Sequence, residues 1–198
     1  MQTFLMLCYI FALGLQTPNE NRIATTQNTQ VQQTTCISAQ EYKLYELIMQ
    51  YRASKNLPKI PLSTSLTLVA QIHCKDLMEN PPQLPCNMHS WSKKGAWEAC
   101  CYTPDHKQAA GMWSKPKELS QYVGNGYEIA SWSSAVATPE ASLEGWKKSS
   151  GHNAVIINQG IWKSSAWNAI GVGIVGNYAV VWFGVETDPA GIPKQCKK

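Results

Sequence analysis

Residues 169–185 read AIGVGIVGNYAVVWFGV, and their pattern decides the fold class. Ala169–Val175 and Tyr178–Val185 are runs of Val, Ile and aromatic residues, the types that suit a pleated, half-buried surface. They flank Gly176-Asn177, a dipeptide suited to a type II′ turn, so the stretch predicts an antiparallel hairpin. Upstream the period changes. Pro139 to about Ser149 reads as a helix with Leu143 and Trp146 inward and proline in its first turn. From about Ser65, Leu66, Val69, Ala70, His73 and Leu77 share one helical face until Asn80-Pro81-Pro82 breaks it. Ser38-Ala39-Gln40-Glu41 has capping-box spacing, and Leu44, Leu47, Ile48 and Tyr51 follow at i, i+3, i+4, i+7. Asn56-Leu57-Pro58 stops that helix. Helices first and strands last, around one sheet, give an α+β layered sandwich.

Composition narrows the rest. Of 198 residues, 44% are hydrophobic and 15% charged, which suits a packed core and excludes wholesale disorder. The net charge is +4, and lysines cluster no further than pairs such as Lys93-Lys94, so a nucleic-acid binder's footprint is missing. Eight Trp between Trp91 and Trp182 suggest a core of large rings and an aromatic-lined groove.

Phe4 to Leu15, FLMLCYIFALGL, has the length of a signal h-region and is too short to span a bilayer. Ala12-Leu13-Gly14 offers small residues for cleavage after Gly14, although Met1-Gln2-Thr3 lacks the usual basic residue. The expected organisation is therefore a leader (1–14), a Gln/Thr-rich linker (15–37), a folded domain (38–187) and a tail (188–198). Export leaves Cys36, Cys74, Cys86, Cys100, Cys101 and Cys196, an even set that favours disulfides, up to three of them. Sequence alone leaves the pairing open. Adjacent Cys100 and Cys101 are expected to take different partners, and a Cys36–Cys196 bridge would close the two ends of the fold. At least two of Cys74, Cys86, Cys100 and Cys101 are expected to be bridged, tethering the Trp-rich segment to the second helix.

The four histidines are not equivalent. His73 lies on the apolar stripe and reads as a packed core residue bonded to a backbone carbonyl. His106, in Thr103-Pro104-Asp105-His106, reads as a solvated turn residue. His89 lies in a non-helical segment beside Cys86, and His152 follows Ser149-Ser150-Gly151, where glycine can turn the chain past a helix end. Glu128 follows Gly124 and Gly126, which permit close backbone approach. Two imidazoles and one carboxylate on separate turns can converge as metal ligands or as an acid/base set.

Four segments then occur in order: Cys86-Asn87-Met88-His89-Ser90-Trp91, Gly126-Tyr127-Glu128-Ile129-Ala130, Ser150-Gly151-His152-Asn153 and Ile170-Gly171-Val172-Gly173. Together with Leu68-Val69-Ala70-Gln71-Ile72-His73 they resemble the successive motifs of the CAP superfamily, over roughly residues 38–187. That superfamily covers cysteine-rich secretory, antigen 5 and pathogenesis-related 1 proteins, whose SCP domain is a three-layer α-β-α sandwich with a central antiparallel sheet. The resemblance implies a cleft with two histidines and two glutamates, of which His89, Glu128 and His152 match three. The position of the second glutamate, three residues after Trp146, holds Ser149, and Glu144 would face elsewhere. This form is closer to the bacterial-type members. Cys100-Cys101-Tyr102 and the insertion to Tyr122 are not general family features.

What the resemblance implies is a secreted, extracellular, non-catalytic binding module, with His89, His152 and Glu128 as ligands of a weakly bound divalent metal such as zinc. A lipid, a sterol or an extracellular protein is the expected partner, with no nucleic acid and no membrane span in the mature, monomeric chain. The alternative is a metal-assisted, protease-like hydrolase with Glu128 activating water. A catalytic zinc takes three protein ligands plus water, and a Glu128 that ligates cannot also be the free base.

Overall fold

The computed structural model describes residues 35–197. The expected leader and nearly all of the linker lie outside the described residues. In chain order the elements are β1 (Cys36–Ile37), α1 (Ala39–Ala53), α2 (Thr64–Glu79), α3 (Ala109–Trp113), α4 (Lys115–Leu119), β2 (Gly126–Trp132), α5 (Pro139–Lys148), α6 (Ser150–Ile156), a 3-10 turn (Gly160–Trp162), β3 (Ala169–Val175), β4 (Tyr178–Gly184) and β5 (Lys194–Gln195). The hairpin is β3–β4, antiparallel across Gly176-Asn177. Gly176 has φ +55° and Asn177 does not enter the left-handed region, as a type II′ turn requires.

β2 pairs with the other edge of β4, giving the order β2-β4-β3. β4 is therefore central, and every residue in it is buried. Its side chains alternate between two cores. Ala179, Val181 and Phe183 join Leu44, Ile48, Leu143 and Trp146 from α1 and α5. Tyr178, Val180 and Trp182 join Leu66, Val69, Ala70 and Leu77 from α2. The result is the expected α-β-α sandwich, with α2 on one face and α1, α5 and α6 on the other. Gly171 and Gly173 set the closeness of the α2 layer. A Cβ on Gly171 would lie 2.0 Å from the Leu66 carbonyl carbon, and one on Gly173 2.5 Å from that of Ala70.

The capping box at Ser38 forms: Ser38 Oγ accepts from the Glu41 amide, and Glu41 Oε2 accepts from the Ser38 amide at 2.7 Å. The α2 stripe is buried as expected, but the α1 stripe is rotated. Tyr45, Met49 and Arg52 are buried along with Leu44 and Ile48, while Leu47 and Tyr51 are only half-buried. The polar ends of two of these residues make the rotation possible. Tyr45 donates to the Ile60 carbonyl at 3.0 Å, and Arg52 Nη1 donates to the Ile156 carbonyl at 2.6 Å and to Asn158 Oδ1 at 2.7 Å. Burial pulls the Arg52 pKa down to about 10.

The folded body extends past residues 38–187 at both ends, because Cys36–Ile37 pairs in parallel with Lys194–Gln195. Asp188, in the expected tail, is buried and accepts from Ser63 Oγ at 2.6 Å and from the Ser65 amide at 2.8 Å, anchoring the tail to the start of α2. The disulfides are Cys36–Cys196, closing the two ends, and Cys86–Cys101. Cys100 and Cys101 do differ in state, but Cys74 and Cys100 are free and buried. The tether between the Trp-rich segment and α2 is therefore not a disulfide. Its polar part includes Asp76 on α2, which accepts from Ser92 Oγ at 2.6 Å and from the Ser92 amide at 2.8 Å. Among the described residues no helix is long and apolar enough to cross a membrane.

Candidate functional site

Glu128 is the centre of the site. Its place in β2 directs the carboxylate toward α2, on the same face as Ala130, and the side chain has no solvent exposure. Gly126 lets the strand in: a Cβ there would lie 2.5 Å from Pro116 and 2.7 Å from Trp182. Glu128 Oε2 meets His73 Nδ1 at 2.5 Å, and Oε1 meets His89 Nδ1 at 2.8 Å.

The state of His73 follows from its partners. Its Nε2 lies 2.9 Å from the Ser90 carbonyl, which can only accept, so Nε2 carries a proton. Its Nδ1 faces a carboxylate and donates as well, so the ring is an imidazolium. Its pKa is raised: burial disfavours the charged form, but the Glu128 charge and its hydrogen bond outweigh burial. Burial likewise opposes the Glu128 carboxylate, yet the two histidines hold it at about 2. Trp91 stacks on His73, with ring centres 4.2 Å apart. His73 therefore bonds a backbone carbonyl, as a core histidine should, and is also the counter-ion of the site.

His89 donates Nδ1–H to Glu128, which leaves Nε2 as its lone-pair nitrogen. The His152 ring centre is 6.2 Å away. His152 sits in α6, which starts at once after Ser149; Gly151 has no left-handed backbone there, so it is not the turn that the sequence suggests. The His152 pKa is lowered, by burial first and then by His89. Ser149 lines the cleft where the resemblance implies a glutamate, whereas Glu144 is exposed and paired with Lys147 at 2.6 Å.

These groups line a cleft of about 670 Å³, within the range of small-molecule sites. Trp113, Tyr127 and Trp162 form an aromatic wall, with Tyr127 meeting the two indoles at 5.3 and 4.8 Å, both at 63°. Tyr102 packs edge-on to His89 at 5.5 Å and shares a 2.8 Å hydrogen bond with His106 Nδ1. His106 is exposed, as expected, yet lines the same cleft. Sequence reasoning missed His73 and Tyr102. The available signal for His73 was a titratable ring on a wholly apolar stripe, because such a group needs a buried partner.

As a metal site the donor set is thin. Both Glu128 oxygens already accept hydrogen bonds, so the expected third ligand is engaged elsewhere. Among the described residues no three His, Cys, Asp or Glu side chains are grouped to hold one ion. Two zinc–nitrogen bonds of about 2 Å at a tetrahedral angle set ring centres roughly 5 Å apart. The pair at 6.2 Å is about an ångström too wide, within reach of a side-chain adjustment.

The model of the Cysteine-rich secretory protein family, CAP, matches residues 45–181. Among solved structures the chain is similar to an extracellular protein containing an SCP domain from Bacillus anthracis, at 18% identity and a TM-score of 0.51, covering 74% of this chain and 40% of that one. It is also similar to an outer surface protein from Borrelia burgdorferi, at 19% identity and a TM-score of 0.47, covering 71% and 88%. A third similarity is to a cysteine-rich secretory protein from Staphylococcus aureus, at 14% identity and a TM-score of 0.49, covering 74% and 38%. The chain thus spans well under half of the Bacillus and Staphylococcus proteins. No curated protein matches the sequence.

Proposed function

Because the chain belongs to the CAP, or cysteine-rich secretory protein, family, we propose that it is an exported, non-catalytic binding module whose cleft takes an extracellular ligand beside a weak divalent-metal site. The observation that carries this reading is the pairing of His89 and His152 at the cleft wall, with His89 oriented by a carboxylate. A carboxylate behind a ligating imidazole fixes its tautomer and raises its basicity. His89 and His152 are the ligands, and Glu128 serves as the group that positions His89. Two imidazoles leave a zinc shell to be completed by water or ligand, hence the weakness. Bound there, a divalent ion supplies Lewis acidity to an oxygen-bearing ligand.

Export is supported by the apolar segment Phe4–Leu15 and by the two disulfides. A hydrolytic role has less support, because the Glu128 side chain has no solvent exposure, both its oxygens are engaged by histidines, and its pKa is held far below neutrality. A lipid, a sterol or an extracellular protein remains the ligand class implied by family resemblance. The direct test is native mass spectrometry of protein exported into an oxidising compartment. With zinc added, a one-ion adduct that is lost from the His89→Ala/His152→Ala variant is expected, and retention of that adduct in the variant would refute the assignment.

A further inference from the structure

On the reading that this cleft binds an extracellular ligand, we infer that the ligand is a neutral oligosaccharide, held between the Trp113–Tyr127–Trp162 wall and the polar groups of His89, His152 and Tyr102. Charge is the first discriminator. Among the described residues no lysine or arginine lines the cleft, and its one carboxylate, Glu128, is neutralised by the buried His73 imidazolium. In the metal-free protein a fatty acid, a phosphorylated headgroup or a sulfated or uronic sugar would find no lysine or arginine counter-charge in the lining. A cationic ligand would find no free carboxylate.

The lining is also two-sided in character. Three half-buried rings meet at steep angles and offer faceted apolar faces, on which the C–H faces of sugar rings can lie. Trp167 and Phe183 back this wall, with Trp167 5.6 Å from Tyr127 and 5.7 Å from Phe183, so the rings are set before any ligand arrives. The imidazoles and the phenol supply both donors and acceptors. A sterol or hydrocarbon would strip water from those groups and return nearly nothing, at a cost in free energy. A polyhydroxylated ligand satisfies them.

Shape favours a chain over a closed-in molecule. Gly151 carries no side chain and a Cβ there would meet nothing within 4 Å, and Ile161, which also lines the cleft, is 83% exposed. The cleft is thus open to solvent at these residues, where further sugar units can continue outward.

The test is a calorimetric and tryptophan-fluorescence titration of the folded protein with cellotriose and chitotriose as neutral probes. Trigalacturonate serves as the charged comparator, and laurate and cholesterol as lipid comparators. Binding of at least one neutral trisaccharide at millimolar concentration is expected, with trigalacturonate about tenfold weaker or worse. Trp113→Ala and Trp162→Ala should each weaken binding about tenfold, the size of one aromatic contact. Trp162→Phe should keep most of it, and Trp132→Ala, on the exposed end of β2, should change nothing. The inference is overturned if neither trisaccharide binds, if only a lipid binds, or if both alanine variants, folded by circular dichroism, bind like the parent. Zinc binding that depends on His89 and His152 alongside failed sugar binding would overturn this inference alone, whereas loss of both would remove the cleft reading with it.

Discussion

His73→Leu is the substitution whose consequence the site geometry fixes most fully. It removes an imidazolium with no solvent exposure from a carboxylate with none, and strands the Ser90 carbonyl. A carboxyl held at about 2 instead of 4.5 by His73 and His89 together corresponds to about 3 kcal/mol of native-state stabilisation, with His73 the larger contributor. That agrees with the roughly 3–5 kcal/mol typical of deleting one partner of a buried ion pair. For a chain of this size a loss of about 3 kcal/mol should lower the melting temperature by about 6–12 °C. The pH dependence has a definite sign. Glu128, with its pKa depressed, contributes stability that is present above 4.5 and lost as pH falls through about 2. His73, with its pKa raised, contributes stability that is present below 6.5 and lost as pH rises through its folded value. These are two ends of one interaction and are not added. The gap between parent and variant should therefore be widest between about pH 4.5 and 6.5. His152, with its pKa depressed, contributes stability that is lost as pH falls below 6.5, but it does so in both proteins and cancels in the difference. The assay is urea unfolding of both proteins across this range. A cost below about 1 kcal/mol at pH 6, or one that persists undiminished near pH 2, would refute the imidazolium–carboxylate assignment.

Packing and cross-links set three further outcomes. Gly171→Ala should cost at least about 1–3 kcal/mol, since its methyl would overlap the α2 backbone near Leu66 and push the helix off the sheet; thermal unfolding checks this, and a neutral result would contradict the close approach. Replacing Cys36 and Cys196 together with serine should destabilise more than replacing Cys86 and Cys101, because the loops closed span 160 and 15 positions. Alkylation should label Cys74 and Cys100 only after unfolding, whereas a third bridge would show the pairing to be wrong.

The parts of this fold legible in the sequence are those whose signal is local. The α2 stripe, the Ser38 capping box and the Gly176-Asn177 turn each lie within one short window, and all three form. The buried face of α1 was not legible, because Arg52 is buried through acceptors at Ile156 and Asn158, more than 100 residues away. The seven-residue α6 is too short for its period to show, and Gly151 at its start mimics a turn. At the site, motif order located His89, Glu128 and His152, and the structure brings them to one cleft. The part of His73 in the cluster was hidden, since Glu128 lies 55 residues further on and meets it only once β2 faces α2.

Calorimetric titration of zinc into the folded protein, its His89→Ala/His152→Ala variant and each single variant tests the proposed function most directly. The parent should bind one ion weakly, each single variant more weakly still, and the double variant not at all, with its circular dichroism unchanged. Stoichiometric zinc binding that survives loss of both imidazoles, or a folded parent that binds none, would contradict the central claim that His89 and His152 form the working centre of this cleft.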